Sequence, residues 1–294
     1  MTHENLKQDL RLFAGRVDKY LADALCPDGR IPRQVWEAME YSTMGGGKRI
    51  RPYLTMKFAA MLGGSEEIAL PFGAALEMVH TYSLIHDDLP CMDDDDYRRG
   101  KPTCHKMYGE ANAVLAGDGL LTLAFGVLAD APATPEQIVR ATRLLSHAAG
   151  CNGMIGGQVL DLLAENTTVS RQSLCRIHDG KTCALMRAAA GLGCIAAGVF
   201  EGEAWDAAMT YATEVGMAFQ IVDDLLDVYG TDAIGKPVGS DFRNGKTTYL
   251  TFMTADEARA EAGARTQKAI QALGGMDADG CLAALAEMLL GRTK

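Results

Sequence analysis

Apolar residues recur at three- and four-residue steps along six long stretches, 51–62, 66–88, 109–129, 136–149, 173–200 and 203–229. That spacing lines one side of an α-helix. Glycine and proline punctuate the gaps at Gly45–Gly47, Gly63-Gly64, Gly100–Pro102, Pro132–Pro135 and Gly235–Gly239. Alternating β-branched runs are nearly absent, nothing repeats at a fixed period, and no linker-like segment divides the chain. The pattern predicts an all-α, single-domain bundle of about ten or more helices over residues 1–294. Its central helices are apolar on most faces and therefore buried.

Polar residues inside such helices are informative. In 66–88, His80, Ser83 and Asp87 follow an i, i+3, i+7 stripe along one side. His80 and Asp87 are then about 10 Å apart along the axis. Pro90 disfavours helical geometry at Leu89, which puts Asp87 and Asp88 in the last turn, where the helix dipole favours a cation. Asp93 arrives from the turn beyond. The run from Asp87 to Asp96 holds six aspartates in ten positions, and two readings are open: a solvated acidic loop, or a site for a hard cation such as Mg²⁺.

A second acidic motif, "QIVDDLLD" at 220–227, changes that balance. Gln220, Asp223 or Asp224, and Asp227 share a stripe among Ile221, Val222, Leu225, Leu226 and Val228. Carboxylates there need a positive partner, either a shared metal ion or a structural ion pair. Two basic groups accompany them. "GGGKRIRP" places Lys48, Arg49 and Arg51 after a glycine loop suited to an anion, although it lacks the spacing of a nucleotide P-loop. Arg98 and Arg99 sit at the edge of the acidic run, as an anion site or as charge balance for the aspartates.

The net charge of −10 argues against a nucleic-acid binder and against adhesion to an acidic membrane surface. The start, MTHENLKQDL, has no basic segment leading into an apolar one. The longest uncharged apolar run, Ala188 to Phe200, is too short to span a bilayer, so no stable membrane insertion is expected. Eight cysteines include no CxxC pair and read as reduced core thiols of a cytoplasmic protein.

Six motifs then carry a resemblance: "GGKRIRP", "HTYSLIHDDLPCMDDDDYRRGKPTCH", "GGQVLDL", "HDGKT", "FQIVDDLLDVYG" and "GKPVGSDFRNGKTTY". From about residue 40 to 252 the chain resembles the trans-isoprenyl diphosphate synthases, most closely their bacterial farnesyl-forming members. The resemblance implies an isoprenoid-synthase bundle around a deep central cavity, and a homodimer. It implies Mg²⁺ as cofactor, held by Asp87, Asp88 and Asp93 and by Asp223, Asp224 and Asp227. It assigns isopentenyl diphosphate to Lys48, Arg51, His80 and Arg99, and the allylic diphosphate to Arg98, Lys181, Lys236 and Lys246. Thr182, Gln220 and the Lys181 carbonyl would face the reacting carbon, with Gln158 and Asp161 supporting that wall.

The implied reaction is ionisation of the allylic diphosphate, attack by the isopentenyl double bond and loss of a proton. No side-chain nucleophile is needed, and His86 is discounted as a base. Tyr82 and Ser83, five and four positions before the first aspartate, would form the cavity floor. A bulky Tyr82 points to a fifteen-carbon farnesyl product, with geranylgeranyl as the alternative. A class I terpene cyclase and a non-catalytic partner subunit are the remaining rivals. Both aspartate motifs and the set Lys48, Arg51, His80 speak against them. The C-terminal Arg292 and Lys294 fit weakly and stay outside the expected site.

Overall fold

Helix boundaries follow local capping chemistry. The computed structural model describes residues 1–25, 32–229 and 246–292; Lys236, Lys294 and the Gly235–Gly239 segment lie outside them. The described helices are α1 (His3–Ala24), α2 (Arg33–Thr43), α3 (Ile50–Met61), α4 (Glu66–Asp87), α5 (Cys104–Tyr108), α6 (Glu110–Ala129) and α7 (Pro135–Ala149). They continue as α8 (Met154–Ala164), α9 (Arg171–His178), α10 (Ala184–Ala196), α11 (Glu203–Tyr229), α12 (Ala255–Leu273) and α13 (Cys281–Leu290). Ser65 caps α4 by accepting the Glu67 N–H, with Glu66 and Glu67 complementing the dipole in the first turn. Thr134 with Gln137 and Thr254 with Glu257 form reciprocal capping boxes at α7 and α12.

The central helices are buried as their composition requires. Every residue of α10 is buried except Arg187. Gly193 presses on α3, where an added Cβ would lie 2.4 Å from the Thr55 carbonyl oxygen, and the Thr55 hydroxyl donates to Ala189 O at 2.9 Å. Gln137 donates to the Ile195 and Ala196 carbonyls, satisfying two acceptors at the α10 C-terminus. Buried Glu214 on α11 binds Arg265 at 3.0 Å and Lys268 at 2.6 Å, fixing α12 along it. One large apolar cluster fills the bundle, and a smaller one around Leu174, Met217, Ile221 and Tyr249 lies under the second aspartate motif.

The structure departs from the sequence reading in four respects. The stretch 173–200 is interrupted by a π-helical turn, Asp179–Cys183, between α9 and α10. A two-stranded ribbon, β1 (Tyr97–Arg98) with β2 (Lys101–Pro102), follows the acidic run. By length and composition α4 and α6 are apolar enough to cross a membrane, although acidic residues interrupt the uncharged run in each. The α4 window is 72% buried and that of α6 only 39%. Of the cysteines, Cys104, Cys183, Cys194 and Cys281 are buried as expected, whereas Cys91 and Cys151 are exposed.

Candidate active site

The two aspartate motifs, Lys181, Thr182, Gln158 and Asp161 lie at or just beyond the C-terminal end of α4, at that of α11, in the π-turn and on α8. Asp87 closes α4, and its carboxylate makes no hydrogen bond or ion pair among the described residues. Burial, then the neighbouring charges of Asp93 and Asp88, raise its proton affinity above the ordinary carboxylate range, against the pull of Lys181 and Arg98. Unmet negative charge at the negative end of a helix is the setting a hard cation fits. Asp88 differs. It is buried, and Arg98 clasps both its oxygens through Nε at 2.8 and 2.9 Å. Charge balance between Arg98 and the acidic run is therefore real in this structure.

Two glycines assemble the middle of the site. A Cβ on Gly157 of α8 would lie 2.1 Å from the Lys181 backbone nitrogen, and one on Gly180 would lie 2.9 Å from Gly157 Cα. This close crossing sets the π-turn against α8, so that Lys181 Nζ reaches Asp161 at 2.7 Å. Such π-turns recur at functional sites. Lys246 joins the cluster at 3.6 Å from Asp161 and 3.5 Å from Asp93. Burial works against ionised Asp161, but Lys181 and Lys246 outweigh it and hold its carboxyl below the usual range. Burial, reinforced by Lys181 and opposed by Asp161, pushes His178 down to about 4. In the same turn the Thr182 hydroxyl donates to Gln220 Oε1 on α11. The Gln158 amide nitrogen is buried without a partner among the described residues. Gly157→Ala is expected to lower stability by about 1–3 kcal/mol by overpacking backbone on backbone, read as a drop in Tm.

The segment after residue 245 ties the two acidic motifs together. Lys246 reaches Asp93, and three residues later the Tyr249 N–H donates to Asp224 Oδ2 at 2.7 Å. Asp224 is accordingly buried, while Asp223 is exposed and Asp227 is half-buried. The ambiguity between Asp223 and Asp224 thus resolves into an outward and an inward carboxylate. Arg292, which sequence reasoning set aside, donates to Asp223 at 2.6 Å and to Phe219 O at 2.8 Å, stacked over the Phe219 ring. A basic residue in the tail was the only sequence signal for it.

The basic groups separate into structural and available charges. Arg49 is buried and saturated, donating to Asp18 at 2.8 Å, Glu77 at 2.8 Å and Thr43 O at 2.6 Å. Arg51, two residues on, has a buried Nε with no partner among the described residues. Arg99 occupies a left-handed backbone (φ 54°) beside Gly100 (φ 76°), together the two-residue turn of the ribbon. A non-glycine residue there is strained by about 1–3 kcal/mol. The turn aims its guanidinium at the glycine loop, where a Cβ on Gly47 would lie 2.8 Å from Arg99 Nη1. Burial and then Arg51, Arg99, Arg98 and Arg49 push His80 well below its ordinary value, leaving it neutral. Exposed Lys48 makes no ion pair among the described residues.

At the floor position Tyr82 is 5% exposed with an unpartnered hydroxyl, and burial followed by the Asp87 charge pushes it up to about 12. Ser83 turns back to donate to the His80 carbonyl at 2.8 Å.

The family model described as polyprenyl synthetase matches residues 32–287. The chain belongs to the polyprenyl synthetase family. Farnesyl diphosphate synthase of Bacillus subtilis is 44% identical to it over 250 residues, 84% of each chain. A heterodimeric geranylgeranyl pyrophosphate synthase large subunit of Arabidopsis thaliana is 44% identical over 258 residues, 85% of this chain and 69% of the relative. Among solved structures, an FPP/GFPP synthase from Zymomonas mobilis superposes with a TM-score of 0.88 at 38% identity, covering 99% of this chain and 100% of that one. As a polyprenyl synthetase the chain is a transferase, and the all-α bundle is the family fold.

Proposed function

We propose that this polyprenyl synthetase condenses isopentenyl diphosphate with dimethylallyl or geranyl diphosphate and stops at farnesyl diphosphate. The observation that carries the reading is a segregation of unmet charge. Asp87 has no bonded counter-ion, and Arg51, Arg99 and neutral His80 have no carboxylate bonded to them, among the described residues. Two diphosphates, one on a cation and one on arginines, complete both halves.

In this reading Asp87, Asp88 and Asp93 with Asp223, Asp224 and Asp227 would hold Mg²⁺, which would supply charge neutralisation for the departing allylic diphosphate. Lys181, Lys246 and Arg98 hold that diphosphate in place, and Lys236 is assigned with them by resemblance. Arg51, Arg99, Lys48 and His80 fix the isopentenyl diphosphate, so that its double bond approaches from the other side. The Thr182 hydroxyl, the Gln220 amide and the Lys181 carbonyl offer dipoles to the allylic cation. Gln158 and Asp161 support that wall. The whole chain acts as one domain, since α11 contributes to both apolar clusters. Exposed Val114 and Leu115 on α6, with Ile155, Val159, Leu160 and Leu163 on α8, suit the contact of a homodimer. We place this enzyme in the cytoplasm, without membrane insertion.

Product length rests on Tyr82. Incubation with Mg²⁺, isopentenyl diphosphate and geranyl diphosphate, followed by dephosphorylation, is expected to yield farnesol as the main alcohol. Tyr82→Ala is expected to raise the geranylgeraniol share about tenfold by opening the floor; an unchanged ratio removes Tyr82 from that role.

A further inference from the structure

We infer that His86 is a positioning residue for Tyr82, and through it a determinant of product length. This rests on the reading of Tyr82 as the cavity floor. The buried Tyr82 hydroxyl has no partner among the described residues, so no hydrogen bond from them fixes the ring. What meets it one turn along α4 is the His86 imidazole, edge-to-face at 5.7 Å with an interplanar angle of 72°. That imidazole is itself held from outside α4. Its Nε2 lies 3.1 Å from the Val114 carbonyl oxygen on α6, an acceptor, so Nε2 carries the proton and donates. Gly117, one turn further along α6, leaves the seat open, since a Cβ there would lie 2.1 Å from His86 Nε2.

The α6 backbone therefore grips His86, and His86 braces Tyr82. A residue beside Asp87 that makes no contact with the acidic motif through its ring nitrogen gains a task the condensation chemistry does not give it. Loss of an edge-to-face partner changes ring populations by about two- to tenfold, and the floor should loosen accordingly.

The test is a double-mutant cycle on the ratio of geranylgeranyl to farnesyl product, using Tyr82→Ala, His86→Ala and the double variant. His86→Ala alone is expected to raise the ratio about two- to tenfold. In the Tyr82→Ala background the same change is expected to add nothing, because the brace has lost its target. A wild-type ratio in His86→Ala, or an equal increment with and without Tyr82, overturns the inference in favour of general loosening. Tyr82→Ala that itself leaves the ratio unchanged overturns the floor reading instead, a distinguishable result. If His86→Ala fails to fold, His86→Gln keeps a donor for Val114 but lacks the ring, and the same outcomes apply.

Discussion

Asp87→Asn is expected to fold as well as the parent chain and to lose turnover by about a thousandfold, the loss typical of removing one preorganised charge-stabilising group. Asp87 has no hydrogen-bonding or ionic partner among the described residues, and burial with Asp93 and Asp88 nearby lifts its proton affinity. A carboxyl raised in the folded state destabilises that state once pH exceeds its unfolded value. At neutral pH the neutral isostere therefore leaves stability unchanged or improves it. Asp88→Asn supplies the contrast. That side chain is buried against Arg98, and its neutralisation is expected to cost about 3 kcal/mol by stranding the guanidinium. Thermal melts and initial rates on the two variants separate these outcomes. Near-parental turnover in Asp87→Asn would remove it from the cation site.

Arg51→Met is expected to raise KM for isopentenyl diphosphate about a hundredfold while raising Tm by a few degrees. Its Nε is buried and unpartnered, and burial, with Arg99 nearby and only Glu77 opposing, disfavours its charge. A group that burdens the empty fold and is relieved by an anion is a functional rather than a structural charge. Rates at varied isopentenyl diphosphate, set beside melting curves with and without inorganic pyrophosphate, check both halves. An unchanged KM would contradict the assignment. A lowered Tm would mean that Arg51 supports the fold as Arg49 does.

The contrast between those two arginines shows where sequence reasoning stops. Periodicity and glycine punctuation suffice to locate α3, α4, α6, α7 and α11 within a residue or so, because those helices satisfy their own backbones and bury a continuous apolar face. Nothing in "GGGKRIRP" distinguishes Arg49 from Arg51. Arg49 becomes structural only because Asp18, Glu77 and the Thr43 carbonyl converge on it from three separate elements. The same applies to Asp223 and Asp224, since the partner that draws Asp224 inward is a backbone N–H 25 residues away. The π-turn arises from a Gly157–Gly180 crossing that no local propensity encodes. The N-terminal segment lies outside the resembling stretch, yet α1 supplies Asp18 to Arg49 and Asp9 to Tyr53 and Lys57. Long-range partners, not helix-forming tendency, decide which charges remain free for substrates.

The central claim is that two diphosphates react with each other, and it is tested by following geranyl diphosphate with Mg²⁺ in the presence and absence of isopentenyl diphosphate. The account predicts a farnesyl product only when both substrates are present, with one pyrophosphate released per condensation. Consumption of geranyl diphosphate to a hydrocarbon or alcohol without isopentenyl diphosphate, or no prenyl transfer with both, would contradict it.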